Sequence, residues 1–275
     1  MTSLVSSLYF LRNHSIHKLE RVDVEVLILK VLKVSRSYMY AHNPSLNLKQ
    51  LEELDFLIKR RQRGEPVSYL TGTKSFWTLD LEVNSKVLIP RPETESLVQE
   101  ILLNYNLKNK TFLDLGTGCG TIALAIASER PDWVIYANDY SFDALKIAYR
   151  NSNIHSLKIN LVNSYWANSF KDNSFDVIAS NPPYIKFNDD RLCSDGLSYE
   201  PRMALVSSEK GLSDIKQIVK NSFKKLKNQG TLYIEHSPEL QREVSTLFQE
   251  KFVNVRTHKD LNGDERFTSG EKLDG

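Results

Sequence analysis

From residue 111 onward the chain alternates short apolar runs with amphipathic stretches. Strands are predicted at 111–115, 133–138, 158–162, 175–180, 231–235, 252–256 and 266–269, and helices at 121–128, 142–151, 212–226 and 238–249. For the last helix Ser237 is an apt N-cap, with Pro238 at the first helical position. Strands and helices in this order require right-handed crossovers and a mostly parallel sheet. The expected fold class is therefore α/β, with seven strands. In such a sheet, ligands bind beyond the C-terminal strand ends, near the point where strand order reverses.

The first 72 residues read differently. Apolar residues crowd positions 22–34 too densely for one stripe, which predicts a helix packed on two sides. Leu51, Leu54, Leu57 and Ile58 follow a helical spacing, and Asn47 with Gln50 makes a capping pair at its start. Lys59-Arg60-Arg61-Gln62-Arg63-Gly64-Glu65-Pro66 ends that helix, because cations favour the negative end of the dipole and Gly and Pro stop the turn. The same cluster has the charge to meet an acidic partner such as RNA; a solvated helix end is the simpler reading. Leu79, Leu81 and Val83 alternate with polar residues, which predicts a hairpin. Ile89-Pro90-Arg91-Pro92-Glu93-Thr94-Glu95 is a stiff connector, with a new helix beginning near Glu93. The expected organisation is a helical domain at 1–72, a hairpin linker at 73–92 and an α/β domain at 93–275.

Composition narrows the classes. With 275 residues, 41% of them hydrophobic, a sizeable core can be buried. A formal net charge of +2 makes no electrostatic case for nucleic acid or a membrane surface. Apolar runs such as 26–29 and 122–127 are far too short to span a bilayer. Arg12, His14 and Lys18 interrupt the start of the chain, so a secretory signal is not expected. Cys119 and Cys193 make no disulfide framework and no zinc-site spacing, so a cytoplasmic protein without a metal is expected.

Asp114-Leu115-Gly116-Thr117-Gly118-Cys119-Gly120-Thr121 leads from the first predicted strand of the sheet into a helix. Glycines allow a sharp turn and close approach to a ligand. A dinucleotide turn needs a third glycine where Thr121 stands, and a P-loop needs a lysine that is absent. G-x-G-x-G after an acidic strand end is the pattern of Rossmann-like methyltransferases. Asp139, ending the second strand of this sheet, can accept hydrogen bonds from ribose hydroxyls or simply cap the next helix; ribose is the favoured reading. Asp114 either orients the cofactor or braces the turn, and the sequence leaves this open.

The strand at 175–180 runs into Asn181-Pro182-Pro183-Tyr184. Two prolines end the strand and restrain the residues before them, making a rigid corner at a C-terminal strand end. The Asn181 side-chain oxygen and the Pro182 carbonyl can accept both hydrogens of a planar NH2 group, and the Tyr184 ring can stack on its flat face. Catalysis then consists mostly of alignment and polarisation, with Asn181, Pro182 and Tyr184 as the catalytic candidates. Adenine and glutamine both offer such a nitrogen, and the corner alone does not separate them.

The glycine turn, Asp139 and the corner, in this order, resemble amino-group methyltransferases. Four further segments narrow the resemblance: Gly64-Glu65-Pro66-Val67-Ser68-Tyr69-Leu70-Thr71-Gly72, the connector from Ile89 to Glu95, Tyr199-Glu200-Pro201-Arg202-Met203-Ala204-Leu205, and Gly263-Asp264-Glu265-Arg266. Together they are similar to the bacterial peptide chain release factor glutamine methyltransferases, over essentially the whole chain. The resemblance implies a Rossmann-like class I methyltransferase using S-adenosyl-L-methionine. Its implied substrate is the glutamine of the Gly-Gly-Gln tip of class 1 release factors. It further implies cofactor contacts from Gly116, Thr117, Gly118, Cys119, Gly120, Asp139 and Asn181, a place for Trp166 beside the adenine, and a glutamine grip by Asn181, Pro182, Pro183 and Tyr184. Tyr165 departs from relatives that carry an acidic residue before this tryptophan. Glu93 and Glu95 read as linker residues, and nothing marks Cys119 as reactive. The helical domain is the candidate for gripping the protein substrate, and a monomer is expected. The enzyme alternative is a DNA adenine amino-methyltransferase acting on a flipped base, but it would need a larger and more basic recognition domain. A non-catalytic binding protein would not need to keep both the glycine turn and Asn181.

Overall fold

The computed structural model describes residues 5–14, 19–105, 108–194 and 196–273. The chain divides into one unit of Met1–Thr73 with Arg191–Tyr199, and another of Lys74–Asp190 with Glu200–Gly275. The first unit contains β1 (Val5–Ser6), α1 (Ser7–His14), α2 (Arg21–Leu32), α3 (Arg36–His42), β2 (Ser45–Leu46), α4 (Leu48–Gln62) and α5 (Val67–Thr71). As its apolar density predicts, α2 packs against α1, α4 and α5 and buries Val24, Leu27, Ile28 and Val31. Each such buried aliphatic side chain stabilises the unit by about 1.5–3 kcal/mol. Leu54, Leu57 and Ile58 of α4 complete this core. The expected capping box is present: Gln50 N donates to Asn47 Oδ1 at 2.9 Å, and Asn47 N donates to Gln50 Oε1 at 3.0 Å.

The cations ending α4 are engaged within their own unit. Lys59 pairs with Asp55 at 2.6 Å, Arg61 with Asp23 at 2.7 Å, and Arg60 with Glu65. In the added segment, the Tyr199 hydroxyl donates to the Arg63 carbonyl at 2.9 Å.

A hairpin of β3 (Thr73–Phe76) and β4 (Leu79–Glu82), in which Leu79 and Leu81 turn inward, lies in the second unit except for its first residue. The unit continues through α6 (Thr94–Asn104), β5 (Thr111–Leu115), α7 (Thr121–Glu129), β6 (Val134–Asp139), α8 (Phe142–Ile154), β7 (Asn160–Asn163) and β8 (Phe175–Ser180). It closes with α9 (Arg202–Leu205), α10 (Ser208–Gly211), α11 (Ser213–Lys225), β9 (Leu226–Glu235), α12 (Gln241–Gln249), β10 (Val253–Lys259) and β11 (Glu265–Glu271). The seven strands from β5 onward form one sheet in the order β10-β11-β9-β8-β5-β6-β7. Strands β5 to β9 run parallel, while β11 is antiparallel to both β9 and β10. Leu113, Leu115, Ile178, Leu232 and Ile234 meet Ile215, Ile218 and Val219 of α11 and Val244 and Phe248 of α12 in one core. Helix α7 is buried from Ile122 through Ala127, so it is covered nearly all round.

Two sequence expectations fail: β9 begins at Leu226 rather than at 231, and the side-chain cap expected at Ser237 does not form. The segment 238–249 begins as a 3-10 turn at Pro238–Leu240, and the Ser237 side chain caps nothing. Its carbonyl instead accepts from Leu240 N at 3.0 Å and bonds to the His236 ring at 2.9 Å. Among the described residues no helix is long and apolar enough to cross a membrane.

Strand order reverses at β5, whose neighbours are β6 on one side and β8 on the other. Leu115 and Ser180 pair across β5 and β8, and the Ser180 hydroxyl donates to the Leu115 carbonyl at 2.7 Å. The glycine turn and the proline corner therefore leave the sheet from neighbouring strand ends at its switch point.

Candidate active site

Past Leu115 the chain turns on Gly116, Gly118 and Gly120, all with positive φ. At Gly116 a Cβ would lie 3.1 Å from the Trp166 ring, so glycine lets that ring close over the turn. At Gly120 a Cβ would fall 2.7 Å from Leu124 Cδ1. The turn is tied to β6, because Gly116 N and Thr117 N both donate to the Asn138 carbonyl, at 3.0 and 2.9 Å. Asp114 lies beneath it, fully buried. Its Oδ2 accepts from Thr117 Oγ1 at 2.6 Å and from Ala123 N at 3.1 Å, so it braces the turn and the head of α7. Burial pushes its carboxyl up to about 7, against the opposing pull of those two bonds. Its Oδ1 has no partner.

Asp139, at the end of β6, accepts from Gly118 N through Oδ2 at 2.9 Å and from Ser141 N through Oδ1 at 2.8 Å. Burial raises its pKa, while hydrogen bonds from Ser141, Gly118 and Tyr140 pull the other way. The cap of α8 is Ser141, whose hydroxyl accepts from Ala144 N at 3.2 Å. Trp166 takes φ +44°, and its indole N–H donates to Asp214 Oδ1 at 3.2 Å. Asp214 is itself held by the Ser207 hydroxyl at 2.6 Å. Tyr165, at the departure noted from sequence, packs edge-to-face on Tyr140 with ring centres 5.8 Å apart.

At the corner, Asn181 Nδ2 donates to Thr94 Oγ1 at 3.2 Å. Thr94 Oγ1 donates in turn to Glu235 Oε2 at 2.6 Å. The Tyr184 hydroxyl points at Glu235 Oε1 from 3.5 Å, while its ring packs against the sheet core. Glu235 is fully buried at the end of β9, and burial pushes its carboxyl up to about 7, opposed chiefly by the Thr94 bond and Arg266. Burial likewise raises the Tyr184 pKa. Gly211, in a left-handed turn with Glu209 and Lys210, passes close behind the Tyr184 carbonyl. Beyond the corner, Ile185 N donates to the Leu205 carbonyl and Ser207 N to the Ile185 carbonyl, each at 2.9 Å.

These parts surround a cavity of about 350 Å³, within the range of small-molecule sites. Gly116, Gly118, Asp139, Trp166, Asn181 and Pro183 all line it, joined by Tyr140 and Tyr165. A smaller space of about 40 Å³ is lined by Thr94, Asp114 and Thr117, and again by Gly116, Gly118 and Asn181. Cys119, Gly120, Pro182 and Tyr184 line neither space. Cys119 is fully buried, its thiol pushed up to about 11 by burial, with Sγ 3.2 Å from Thr121 Oγ1. Three residues tied to the site were given no role by sequence reasoning: Thr94, Asp214 and Glu235. Glu235 left one trace, a carboxylate ending an apolar strand on the side where ligands bind.

A family model described as the methyltransferase small domain matches residues 92–193, and one described as the PrmC N-terminal domain matches residues 9–72. The release factor glutamine methyltransferase of Coxiella burnetii is 42% identical over 253 residues, covering 90% of this chain and 91% of its own. The enzymes of that name from Buchnera aphidicola subsp. Baizongia pistaciae and Escherichia coli are 40% and 39% identical, each covering 91% of this chain and 92% and 91% of their own. Among solved structures, a methyltransferase from Pyrococcus furiosus shares the fold with a TM-score of 0.55 at 17% identity, covering 80% of this chain and 98% of that one. A 16S rRNA methyltransferase from T. thermophilus, solved with AdoMet and guanosine, also gives a TM-score of 0.55 at 17% identity. That match covers 73% of this chain and spans about half of the longer protein, 49%.

Proposed function

The chain belongs to the family of release factor glutamine methyltransferases, and on that basis we propose that it methylates the side-chain amide nitrogen of the glutamine in the Gly-Gly-Gln motif of class 1 release factors. S-adenosyl-L-methionine is the cofactor, and when bound it supplies an electrophilic methyl group. The cavity fits it. Gly116 and Gly118 leave the main chain open to close approach, Asp139 offers a carboxylate to ribose hydroxyls, and Trp166 with Tyr165 offers aromatic faces to an adenine. Thr117, Cys119 and Gly120 belong to this holding turn through their backbone, since the Cys119 side chain faces inward. Two buried oxygens have no hydrogen-bond partner, Asn138 Oδ1 and Asp114 Oδ1; Asn138 lines the larger cavity and Asp114 the smaller space.

The observation that carries the reading is the state of Asn181. Its NH2 is engaged by Thr94, and its oxygen is left for a donor at the border of both spaces. That oxygen and the Pro182 carbonyl accept the two hydrogens of the glutamine amide, while Pro183 and Tyr184 keep the corner rigid. An amide nitrogen is a poor nucleophile because its lone pair is delocalised. Fixing both hydrogens aims that lone pair and polarises the N–H bonds, and orientation of this kind can supply about 7–11 kcal/mol of a barrier. The nitrogen would gain one methyl as the donor's methyl carbon–sulfur bond breaks to leave a neutral thioether, and one proton would pass to solvent. No strong base is required.

In the same reading the helical domain at 1–72 grips the release factor, residues 73–92 link it, and 93–275 carry the chemistry. The enzyme acts as a cytoplasmic monomer and contacts no nucleic acid directly. The test is incubation with cofactor and either a class 1 release factor or duplex DNA, read by mass spectrometry. One methyl on the Gly-Gly-Gln glutamine is expected; methyl on adenine, or on neither, sinks the reading.

A further inference from the structure

Behind the corner runs a chain of three groups, two buried and the third, Asn181, half-buried. Glu235 is 1% exposed and Thr94 is 2% exposed. Glu235 Oε2 lies 2.6 Å from Thr94 Oγ1, and Thr94 Oγ1 lies 3.2 Å from Asn181 Nδ2. The donor inventory gives this chain a direction. An ionised carboxylate can only accept, and a threonine hydroxyl has one hydrogen. When that hydrogen goes to Glu235, Thr94 faces Asn181 with lone pairs alone. Asn181 must then turn its NH2 toward Thr94 and its oxygen away, toward the spaces it lines. The two ends of an asparagine amide have nearly the same shape, so packing alone does not choose between them. A flipped Asn181 would meet the substrate's NH2 with another NH2.

We propose that Thr94 and Glu235 are positioning residues that set the amide orientation of Asn181, so that the corner presents an acceptor to the incoming nitrogen. This rests on the functional reading above, in which that nitrogen is a planar amide. Neither residue touches the substrate; both act through Asn181.

Protonation offers an independent handle. The groups facing Glu235 are Thr94 and Glu93 at the head of α6, Tyr184 of the corner and Arg266 of β11; His236 follows it in the chain. His236 is buried, and burial lowers its pKa. Burial raises Glu235 to about 7, with Thr94 and Arg266 lowering it and Glu93 raising it. Once protonated, Glu235 can donate to Thr94. The threonine hydrogen is then free to seek the Asn181 oxygen, and the amide turns round.

The experiment compares wild type, Thr94→Val, Thr94→Ser and Glu235→Gln. It reads kcat and KM for the release factor, the dissociation constant for S-adenosylmethionine, and the pH profile of kcat. Valine keeps the outline of threonine without its hydroxyl, so kcat should fall about 100-fold, as when one oriented polar group is lost from an active site. Cofactor affinity should stay within about twofold, because Thr94 has no part in the larger cavity. Serine, which restores the hydroxyl, should recover most of the loss. Wild type should lose kcat as pH falls through the region near 7, and Glu235→Gln should flatten that limb, whatever its absolute rate. A Thr94→Val enzyme with undiminished kcat, or one that serine does not rescue, overturns the proposal. If the valine variant does not fold, the pH arm decides, and an acid limb unchanged in Glu235→Gln overturns it. A wild type that transfers no methyl to a release factor defeats the functional reading instead, which is a separate result.

Discussion

Glu200 accepts a hydrogen bond from the main-chain nitrogen of Ile89 at 2.9 Å and pairs with Arg91. One buried carboxylate thus clasps two segments that lie far apart in the sequence, the Ile89-Pro90-Arg91 connector and the start of Glu200-Pro201-Arg202. Both border the site, through Leu88 on one side and Pro201 and Met203 on the other. Glu200→Ala should cost about 2 kcal/mol of stability, because it strands a buried N–H and leaves Arg91 without its carboxylate. Urea unfolding checks the stability, and calorimetry should show weaker cofactor binding alongside it.

Asn181→Ala removes the side-chain acceptor while sparing the turn at Gly116 and the carboxylate of Asp139. Methyl transfer should drop by about 100-fold or more, and cofactor binding should largely survive. Isothermal titration beside a methyl-incorporation assay separates the two. A variant that loses binding as completely as activity would show that Asn181 holds cofactor more than substrate.

Gly211 has φ +96°, and a Cβ there would fall 2.3 Å from the Tyr184 carbonyl oxygen. Backbone cannot yield as a side chain can, so Gly211→Ala must move Tyr184 or the turn beneath it. The expected cost is about 1–3 kcal/mol from the left-handed conformation alone. Methyl transfer should fall by about tenfold, since a small misplacement of reacting groups carries a large penalty. Thermal melting and steady-state kinetics on the same preparation measure both effects.

Asp114 and Glu235 make stability depend on pH in an unusual direction. Both are carboxyls raised by burial to about 7 in the folded chain, while unfolded carboxyls titrate near 4. Between those values the folded protein binds more protons than the unfolded one. The stability these two carboxyls contribute therefore falls as pH climbs from about 4 to 7 and levels off above it, while His236 and His258, both lowered by burial, contribute with the opposite sign. Asp114→Asn should make that decline shallower. Urea midpoints taken at intervals from pH 5 to pH 8 test the slope; a steeper decline in the variant would contradict the assignment.

Local signals carried most of the fold. Strands β5 and β8 begin and end where apolar runs in the sequence do, and the Asn47–Gln50 cap forms as its spacing predicts. Errors arose where a neighbouring chain overrides local preference. Strand β9 begins at Leu226 rather than near Thr231, and Gln229 N within it donates to the Lys272 carbonyl at 2.8 Å. Ser237 is capable of capping, yet the turn that follows it is 3-10 and uses only its carbonyl. At the site, the glycine turn, Asp139 and the corner were legible because each is contiguous or ends a strand. Thr94 and Glu235 were not, since they stand 141 positions apart and only the sheet brings them to Asn181. Asp114, left open from sequence, was decided by geometry that places Thr117 and Ala123 on one oxygen.

The pairing of Leu115 with Ser180 has a consequence for how such a site can change. The glycine turn, proposed to hold the methyl donor, and the proline corner, proposed to hold the acceptor, leave from one rung of a parallel ladder. Their spacing is thus counted in whole residues. A single insertion in β8 would not widen the gap slightly; it would turn the corner to the opposite face of the sheet, because side chains alternate along a strand. Variation in reach must come from the loops, while the rung works as a fixed gauge block.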